Sequence, residues 1–366
     1  MGLMGAASKT RIHWRHKVIA AMVSLALTLV VAEAAARFVF RVKQGRIYPP
    51  AMPWMELGPD GLRLVPNTHR EQYAAMAGRA VRLDINADGF RGPELRPRAA
   101  SVRRLLFLGD SIVFGPGLEY EETVPYLVGA RLGSGVEVVN AAVPGMSLRD
   151  EVDLLEKKAG RLEPDLVVVG FYMNDPVRSY LLEQEYGGMD ERLVSIITRL
   201  RGRSVLFNLL WERVLAMKLV SAESVATGWV RPFQERAWVS ERGVYDEIIR
   251  LSSDDFGAAW LPSVWPGVAG QIQRLSRICA ERHARPAVLI FPVSIQAESS
   301  VADDYPQQRM KELCKALGIP VLDLLPLLRA HAAEPVFIDQ CHLNPRGSAL
   351  AAADVARWIK EAQLMP

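Results

Sequence analysis

The sequence is poor in cysteine, in concentrated charge and in repetition, and each shortage removes a class of function. Three cysteines in 366 residues, Cys279, Cys314 and Cys341, show no CxxC spacing and no disulfide framework. Core packing is the reading we adopt for all three. Nothing in the chain has metal-ligand spacing, so no metal is expected. The formal charge of +3 is nearly neutral for this length, and no long basic run interleaves with aromatics. Nucleic-acid binding therefore has no support. Internal repeats and low-complexity segments are lacking, and so is a second long apolar span after the first. Of the six histidines, His13 and His16 lie in a basic N-terminal segment, and His69, His283 and His331 have no partner motif. We read these five as surface or structural residues.

Half of the residues are hydrophobic, enough for a sizeable core. The first apolar stretch follows Lys9, Arg11, Arg15 and Lys17. Residues 18–32 carry no charge and would span about 22 Å as a helix, short of the ~30 Å hydrocarbon core. Continuing to residue 40 gives about 34 Å but includes Glu33 and Arg37, four apart and able to pair on one helix face. The expected arrangement is a signal-anchor helix over residues 18–40, a single-pass membrane segment, with the bulk of the chain on the extracytoplasmic side. Small residues at 32–36 also offer cleavage sites, so secretion after signal-peptide removal is one alternative. A buried helix of a soluble protein is the other.

From residue 104 the pattern alternates. Short apolar runs at 105–108, 136–140, 166–171, 287–291 and 320–323 read as strands. Helical spacing is expected at 122–132, 148–162, 268–282, 306–317 and 347–360. Strands and helices in alternation argue for an α/β fold with a doubly wound parallel sheet. Residues 44–103 read as a lead-in with short strands, and the turn formers of Asn86-Ala-Asp-Gly-Phe-Arg-Gly-Pro93 as a structural turn ahead of the first core strand. Between about 177 and 266 the alternation lapses. That stretch looks mostly helical, with helices at 193–200 and 205–220, and holds Trp211, Trp229, Trp238, Trp260 and Trp265. A cap over a crevice, a membrane-proximal platform and an insertion with its own small core are all compatible with it.

Parallel sheets bind ligands outside the carboxyl ends of their strands, and here each end offers chemistry. The first strand runs into Gly109-Asp110-Ser111, the second through Asn140-Ala-Ala-Val-Pro to Gly145, the third into Asn174-Asp175. After the fifth comes Asp339-Gln-Cys-His342, ahead of the last helix. Acyl transfer needs a nucleophile, a base, a group that orients the base, and donors for the oxyanion. Ser111, His342 and Asp339 can supply the first three. The main chain at Gly145 and the Asn174 amide can supply the donors. Asp110 and Asp175 are expected to fix their loops by hydrogen bonds, and Cys341 to pack beside the base.

These four places resemble the sequence blocks of the SGNH/GDSL hydrolase superfamily. Gly109-Asp-Ser-Ile112 is similar to its first block, Asn140 to Gly145 to its second, and Asp339-x-x-His342 to its last. The third departs from Gly-x-Asn-Asp, because Tyr172 stands where the glycine is expected. The resemblance covers about 104–176 and 285–360. It implies a three-layer α/β/α sandwich on a five-stranded parallel sheet of flavodoxin-like order, and ester chemistry without a metal or organic cofactor. It also implies catalytic Ser111, His342 and Asp339, with an oxyanion hole of Ser111, Gly145 and Asn174. The expected domains are an N-terminal basic segment and anchor at 1–43, the lead-in at 44–103, and a catalytic domain at 104–366 that includes the helical insertion. The expected activity is a serine esterase removing acyl groups such as acetyl from a carbohydrate or envelope polysaccharide. An O-acyltransferase working through the same acyl-Ser111 and a non-catalytic glycan-binding component are the alternatives.

Overall fold

The computed structural model describes residues 7–44, 54–58, 61–99, 101–177, 189–190 and 230–365, and within 191–211 residues 192–193, 196–197, 200, 204–207 and 209–211. The chain divides into two compact units. One comprises residues 1–53 with 191–219, and the other residues 54–190 with 220–366.

In the first unit a single helix runs from Ala7 to Gln44. Its apolar part, Trp14–Val39, is 26 residues long with a mean hydropathy of 2.2 and is not buried against the protein. At 1.5 Å per residue that is about 39 Å, enough to cross a bilayer. The expected pair forms, with Arg37 Nε donating to Glu33 at 2.7 Å. Glu33 also caps the start of a second helical stretch, a contact with no signal in the sequence. Of the helices expected at 193–200 and 205–220, the described residues from 192 to 211 other than Ser204 are helical. The rest of those spans, and Trp229, lie outside the described residues.

Among its described residues the second unit is built on nine strands. Two antiparallel hairpins come first, β1 (Met55–Gly58) with β2 (Gly61–Leu64) and β3 (Thr68–Ala74) with β4 (Arg79–Ile85). Five parallel strands follow: β5 (Arg103–Gly109), β6 (Val136–Asn140), β7 (Leu166–Phe171), β8 (Arg285–Ile290) and β9 (Val321–Asp323). Their order is β6-β5-β7-β8-β9, the flavodoxin-like arrangement that the sequence blocks imply. Strands β5 and β7 are apolar on both faces because helices cover both. Leu105 to Leu108 and Leu166 to Val169 are wholly buried. Each such side chain contributes roughly 1.5–3 kcal/mol by leaving water. The helices fall where the spacing places them, at Val124–Leu132, Leu148–Lys157, Trp265–Glu281, Tyr305–Leu317 and Pro345–Glu361.

The lead-in belongs to this core. Trp54 stacks on Phe114 with ring centroids 5.2 Å apart, and Leu64, Leu83, Ile85 and Phe90 are buried with it. Single bridges from Ile85 to Arg91 and from Arg91 to Asn140 attach it beside the sheet at the end of β6. From residue 172 to 284 no strand occurs among the described residues. Three tryptophans of that region are absorbed into this unit: Trp238 and Trp265 are buried, and all three indoles are satisfied. Trp238 donates to the Phe233 carbonyl, Trp260 to Asp303 and Trp265 to the Ala259 carbonyl.

Candidate active site

Strand β5 ends at Gly109, Asp110 caps the next turn, and a one-turn helix runs from Ser111 to Phe114. Asp110 Oδ1 accepts from the Ile112 N–H at 2.8 Å, which leaves the Ser111 hydroxyl free of capping duty. The helix lies close on the sheet because Gly109 and its neighbour Gly170 have no side chains. A Cβ at either would meet Val113 Cγ2 at 2.4 or 2.3 Å. Ser111 thus stands at the strand end, over the middle of the sheet.

His342 arrives from the other end of the chain. The loop before the last helix is closed by a bridge between Phe337 and Leu343 and by the Ile338 N–H on the His342 carbonyl. Asn344 caps that helix through Gly347, whose missing Cβ lets the helix approach the Val336 carbonyl. Within the loop, Asp339 Oδ1 accepts the N–H groups of Cys341 and His342 at 2.9 and 2.8 Å. Its Oδ2 lies 2.8 Å from His342 Nδ1, and His342 Nε2 lies 2.9 Å from Ser111 Oγ. Against the opposing effect of burial, the hydrogen bond from the His342 ring, its attraction and the two main-chain N–H groups hold the Asp339 carboxyl below its ordinary value. Asp339, Cys341 and His342 place ligand-type atoms within 4.8 Å of one another, but both imidazole nitrogens are already engaged. Cys341 is buried, with its sulfur 3.3 Å from Nδ1. Burial first, then Asp339, pushes its thiol well above its usual range, so it is not a thiolate nucleophile.

The two expected oxyanion donors lie at the ends of β6 and β7. Ser111 is the one partly exposed residue in 104–115, Gly145 in 139–148 and Asn174 in 166–175. Each sits in an otherwise buried stretch. Gly145 has φ of +80°, a left-handed conformation that glycine adopts without strain. The Asn174 side chain donates from Nδ2 to Asp255 Oδ1 at 3.5 Å, leaving its second N–H for another acceptor. The Tyr172 N–H donates to Asp175 Oδ2 at 2.7 Å, which ties down the loop where tyrosine replaces glycine.

Three features of the site have no motif in the sequence. The first is Arg91, from the turn read as structural. Its guanidinium is buried over the Phe114 ring and donates to the carbonyls of Phe114, Gly115 (2.7 Å) and Leu118 (2.5 Å). Asn140 Nδ2 adds a bond to the Val113 carbonyl at 3.2 Å, and the Asn140 carbonyl accepts from the Arg91 N–H. A one-turn helix cannot satisfy its own last carbonyls, and a cation at that end complements the helix dipole. Arg91 and Asn140 do both for the helix that begins at Ser111. Burial pulls the guanidinium down to about 10, still charged at neutral pH. Arg91→Met is expected to leave the Phe114 and Leu118 carbonyls without their donor and that of Gly115 with the Leu118 N–H alone, costing about 1–3 kcal/mol of stability for each group left unsatisfied. A melting temperature within a degree of the parent would contradict this.

The second feature is Asp255, which precedes the turn Phe256–Trp260 and faces Asn174. That turn is docked on the same loop, since the Ala259 N–H donates to the Met173 carbonyl. Burial raises the Asp255 carboxyl to about 6. The third is a set of buried acids behind the strand ends. Asp110 is pushed up to about 6 by burial. Glu151 and Asp175 are driven well above their ordinary values by burial first and then by neighbouring carboxylates. Both Glu151 oxygens and Asp175 Oδ1 have no hydrogen-bond partner among the described residues.

A raised folded value means that Glu151 contributes stability below its unfolded value near 4.5 and loses it as pH rises through the folded value. Glu151→Gln should remove that loss. The melting temperature of the variant relative to the parent should therefore rise between pH 5 and pH 8. Parallel curves would show that Glu151 does not titrate differently on folding.

A parallel sheet of this order, with Ser, His and Asp hydrogen-bonded in a chain at its strand ends, has the arrangement of a serine hydrolase. Residues 107–287 match the GDSL-like lipase/acylhydrolase family, so the chain carries a GDSL-like lipase/acylhydrolase domain. No curated protein matches the chain. Among solved structures it is similar to LAE5, an α/β hydrolase from the metagenome of Lake Arreo, at 14% identity over 73% of this chain and 99% of that one, TM-score 0.42. A carbohydrate acetylesterase family member from Sinorhizobium meliloti is similar at 13% identity over 72% of this chain and 99% of that one, TM-score 0.37. So is a two-domain esterase active on acetylated mannans, at 13% identity over 72% of this chain and 51% of that one, TM-score 0.41.

Proposed function

We propose that the protein is a serine esterase in which Ser111 attacks the ester carbonyl, His342 takes its proton, and Asp339 orients and balances the imidazole. The observation that carries this reading is the unbroken chain Ser111 Oγ–His342 Nε2–Asp339, at 2.9 and 2.8 Å, at the carboxyl end of the sheet. The tetrahedral oxyanion is received by the N–H groups of Ser111 and Gly145 and by the Asn174 amide. His342 then protonates the leaving alcohol, and water hydrolyses the acyl-Ser111 by the same steps in reverse.

The substrate class we propose is a short acyl ester, acetyl in the first instance, on a carbohydrate. Its support is the sequence resemblance, so a panel of acetylated oligosaccharides and aryl esters tests it, free acid release being the readout. Product in the form of acyl-oligosaccharide, with little free acid, would favour acyl transfer over hydrolysis. We place the catalytic unit on the extracytoplasmic side of the membrane, on the strength of the basic segment ahead of the apolar helix. An activity reporter fused after Pro366 and working only in the cytoplasm would overturn that.

Asn174→Ala is expected to lower kcat by about 10²–10³ with little change in KM, the effect of deleting one oxyanion donor. Equal kcat in the variant would remove Asn174 from the oxyanion hole.

A further inference from the structure

Glu33 is an acid inside an apolar span, and what it binds is informative. Besides Arg37, its carboxylate accepts from Ser204 Oγ at 2.8 Å and from the N–H groups of Val205 and Leu206 at 3.0 and 2.9 Å. Ser204 Oγ in turn accepts from the Phe207 N–H at 2.9 Å. Glu33 and Ser204 together satisfy the first donors of a helical stretch that would otherwise be unpaired. An acid at that end also meets the positive pole of the helix. Signal-peptide cleavage at either small-residue site, after Ala34 or Ala36, would remove Glu33 and undo this junction.

The same junction sets the depth of residues 204–206. Glu33 lies six residues before the end of the apolar span at Val39, about 9 Å along the helix. The span exceeds the ~30 Å hydrocarbon core by about 9 Å, so a segment bonded to Glu33 lies at the boundary between headgroups and hydrocarbon or just inside it. Among the described residues of this segment the exposed side chains other than Arg192 are apolar. Leu193, Ile196 and Leu200 recur at spacings of three and four and are 43–55% exposed, and Leu210 is 57% exposed. Ile197 and Val205, by contrast, are buried. A helix of a water-soluble unit turns such a stripe inward, whereas a helix in the membrane interface turns it to lipid.

We propose that the helix 7–44 is retained in the mature protein and that residues 192–211 form a second membrane-contacting element beside it, with Leu193, Ile196, Leu200 and Leu210 facing lipid. The inference rests on the membrane location proposed above and extends it to a segment from the middle of the chain. Charge is consistent with it: the one acid of the span is neutralised by Arg37 and by main-chain donors rather than left bare in hydrocarbon.

The full chain in vesicles of phosphatidylethanolamine and phosphatidylglycerol tests it. Ile196→Cys and Leu210→Cys each receive an environment-sensitive nitrobenzoxadiazole label, the three native cysteines being buried. Val23→Cys, on the apolar span, sets the lipid limit. Labels at 196 and 210 should lose roughly half of their emission when brominated lipid replaces ordinary lipid, as at Val23, and should resist aqueous iodide. Quenching by iodide but not by brominated lipid overturns the proposal. Protection from both quenchers does so too, since it would mean that protein covers the face. The intact mass of the membrane-bound protein should include the helix, and a chain starting at Ala35 or Arg37 overturns its retention. Hydrolysis of an aryl acetate by the same vesicles is read in parallel. A wrong catalytic reading then appears as absent turnover with lipid quenching preserved.

Discussion

Ser111→Ala is expected to lower kcat for an aryl acetate by roughly 10⁴–10⁶-fold while the fold persists. The side chain that changes is partly exposed and takes no part in capping its own helix, which Asp110 does. The loss of the hydroxyl leaves the His342 ring bonded to Asp339, and Asp110 keeps the Ile112 N–H. Arg91 and Asn140 still hold the helix carbonyls. Residual turnover comes from the oxyanion donors alone, acting on attack by water. Initial rates together with circular dichroism check it, and turnover near that of the parent would mean that another group is the nucleophile.

Asp339→Asn is expected to cost about 10⁴-fold in kcat with KM nearly unchanged. The reason lies in the two oxygens. Oδ1 accepts two main-chain N–H groups, from Cys341 and His342, and an asparagine keeps its carbonyl oxygen there. Its NH₂ then replaces Oδ2 opposite His342 Nδ1. A donor in that place forces Nδ1 to accept, so the ring proton moves to Nε2, where it blocks transfer from Ser111. Loop geometry survives while the base is lost. An effect under tenfold in kcat would assign Asp339 to loop structure alone.

Much of this site is readable from the sequence because its parts are local. The run Leu105 to Leu108 ends on Gly-Asp-Ser, and an apolar run with a turn after it is enough to place a strand end. Asp339 and His342 lie three apart in one loop, so their contact needs no knowledge of the fold. Arg91 is different. Its surroundings, Asn86-Ala-Asp-Gly-Phe-Arg-Gly, carry strong turn signals, and Asn86 does close that turn through the Phe90 N–H. What the turn accomplishes is seen only when Arg91 meets carbonyls 23–27 residues away. Carbonyl acceptors have no signature in a sequence.

Asp255 is obscured for a related reason. It follows another acid in a region without periodic strands, and only the docking of Ala259 on Met173 brings it to Asn174. Glu151 looks like one more acid in the first turn of a helix, a common surface placement, yet it is fully buried. Glu33 looks like a helix-surface partner of Arg37. Its second set of donors comes from residues 204–206, separated from it by some 170 positions.

The residue that accepts the acyl group decides the mechanism. The most direct measurement is reaction of the purified chain with a fluorophosphonate, which bonds to a serine activated by a neighbouring base, followed by mass-spectrometric mapping of the modified peptide. The expected result is one phosphonylated residue, Ser111, with loss of esterase activity in proportion to labelling, and no labelling in His342→Ala. Modification of a different residue, or full labelling of Ser111 without loss of turnover, would contradict it.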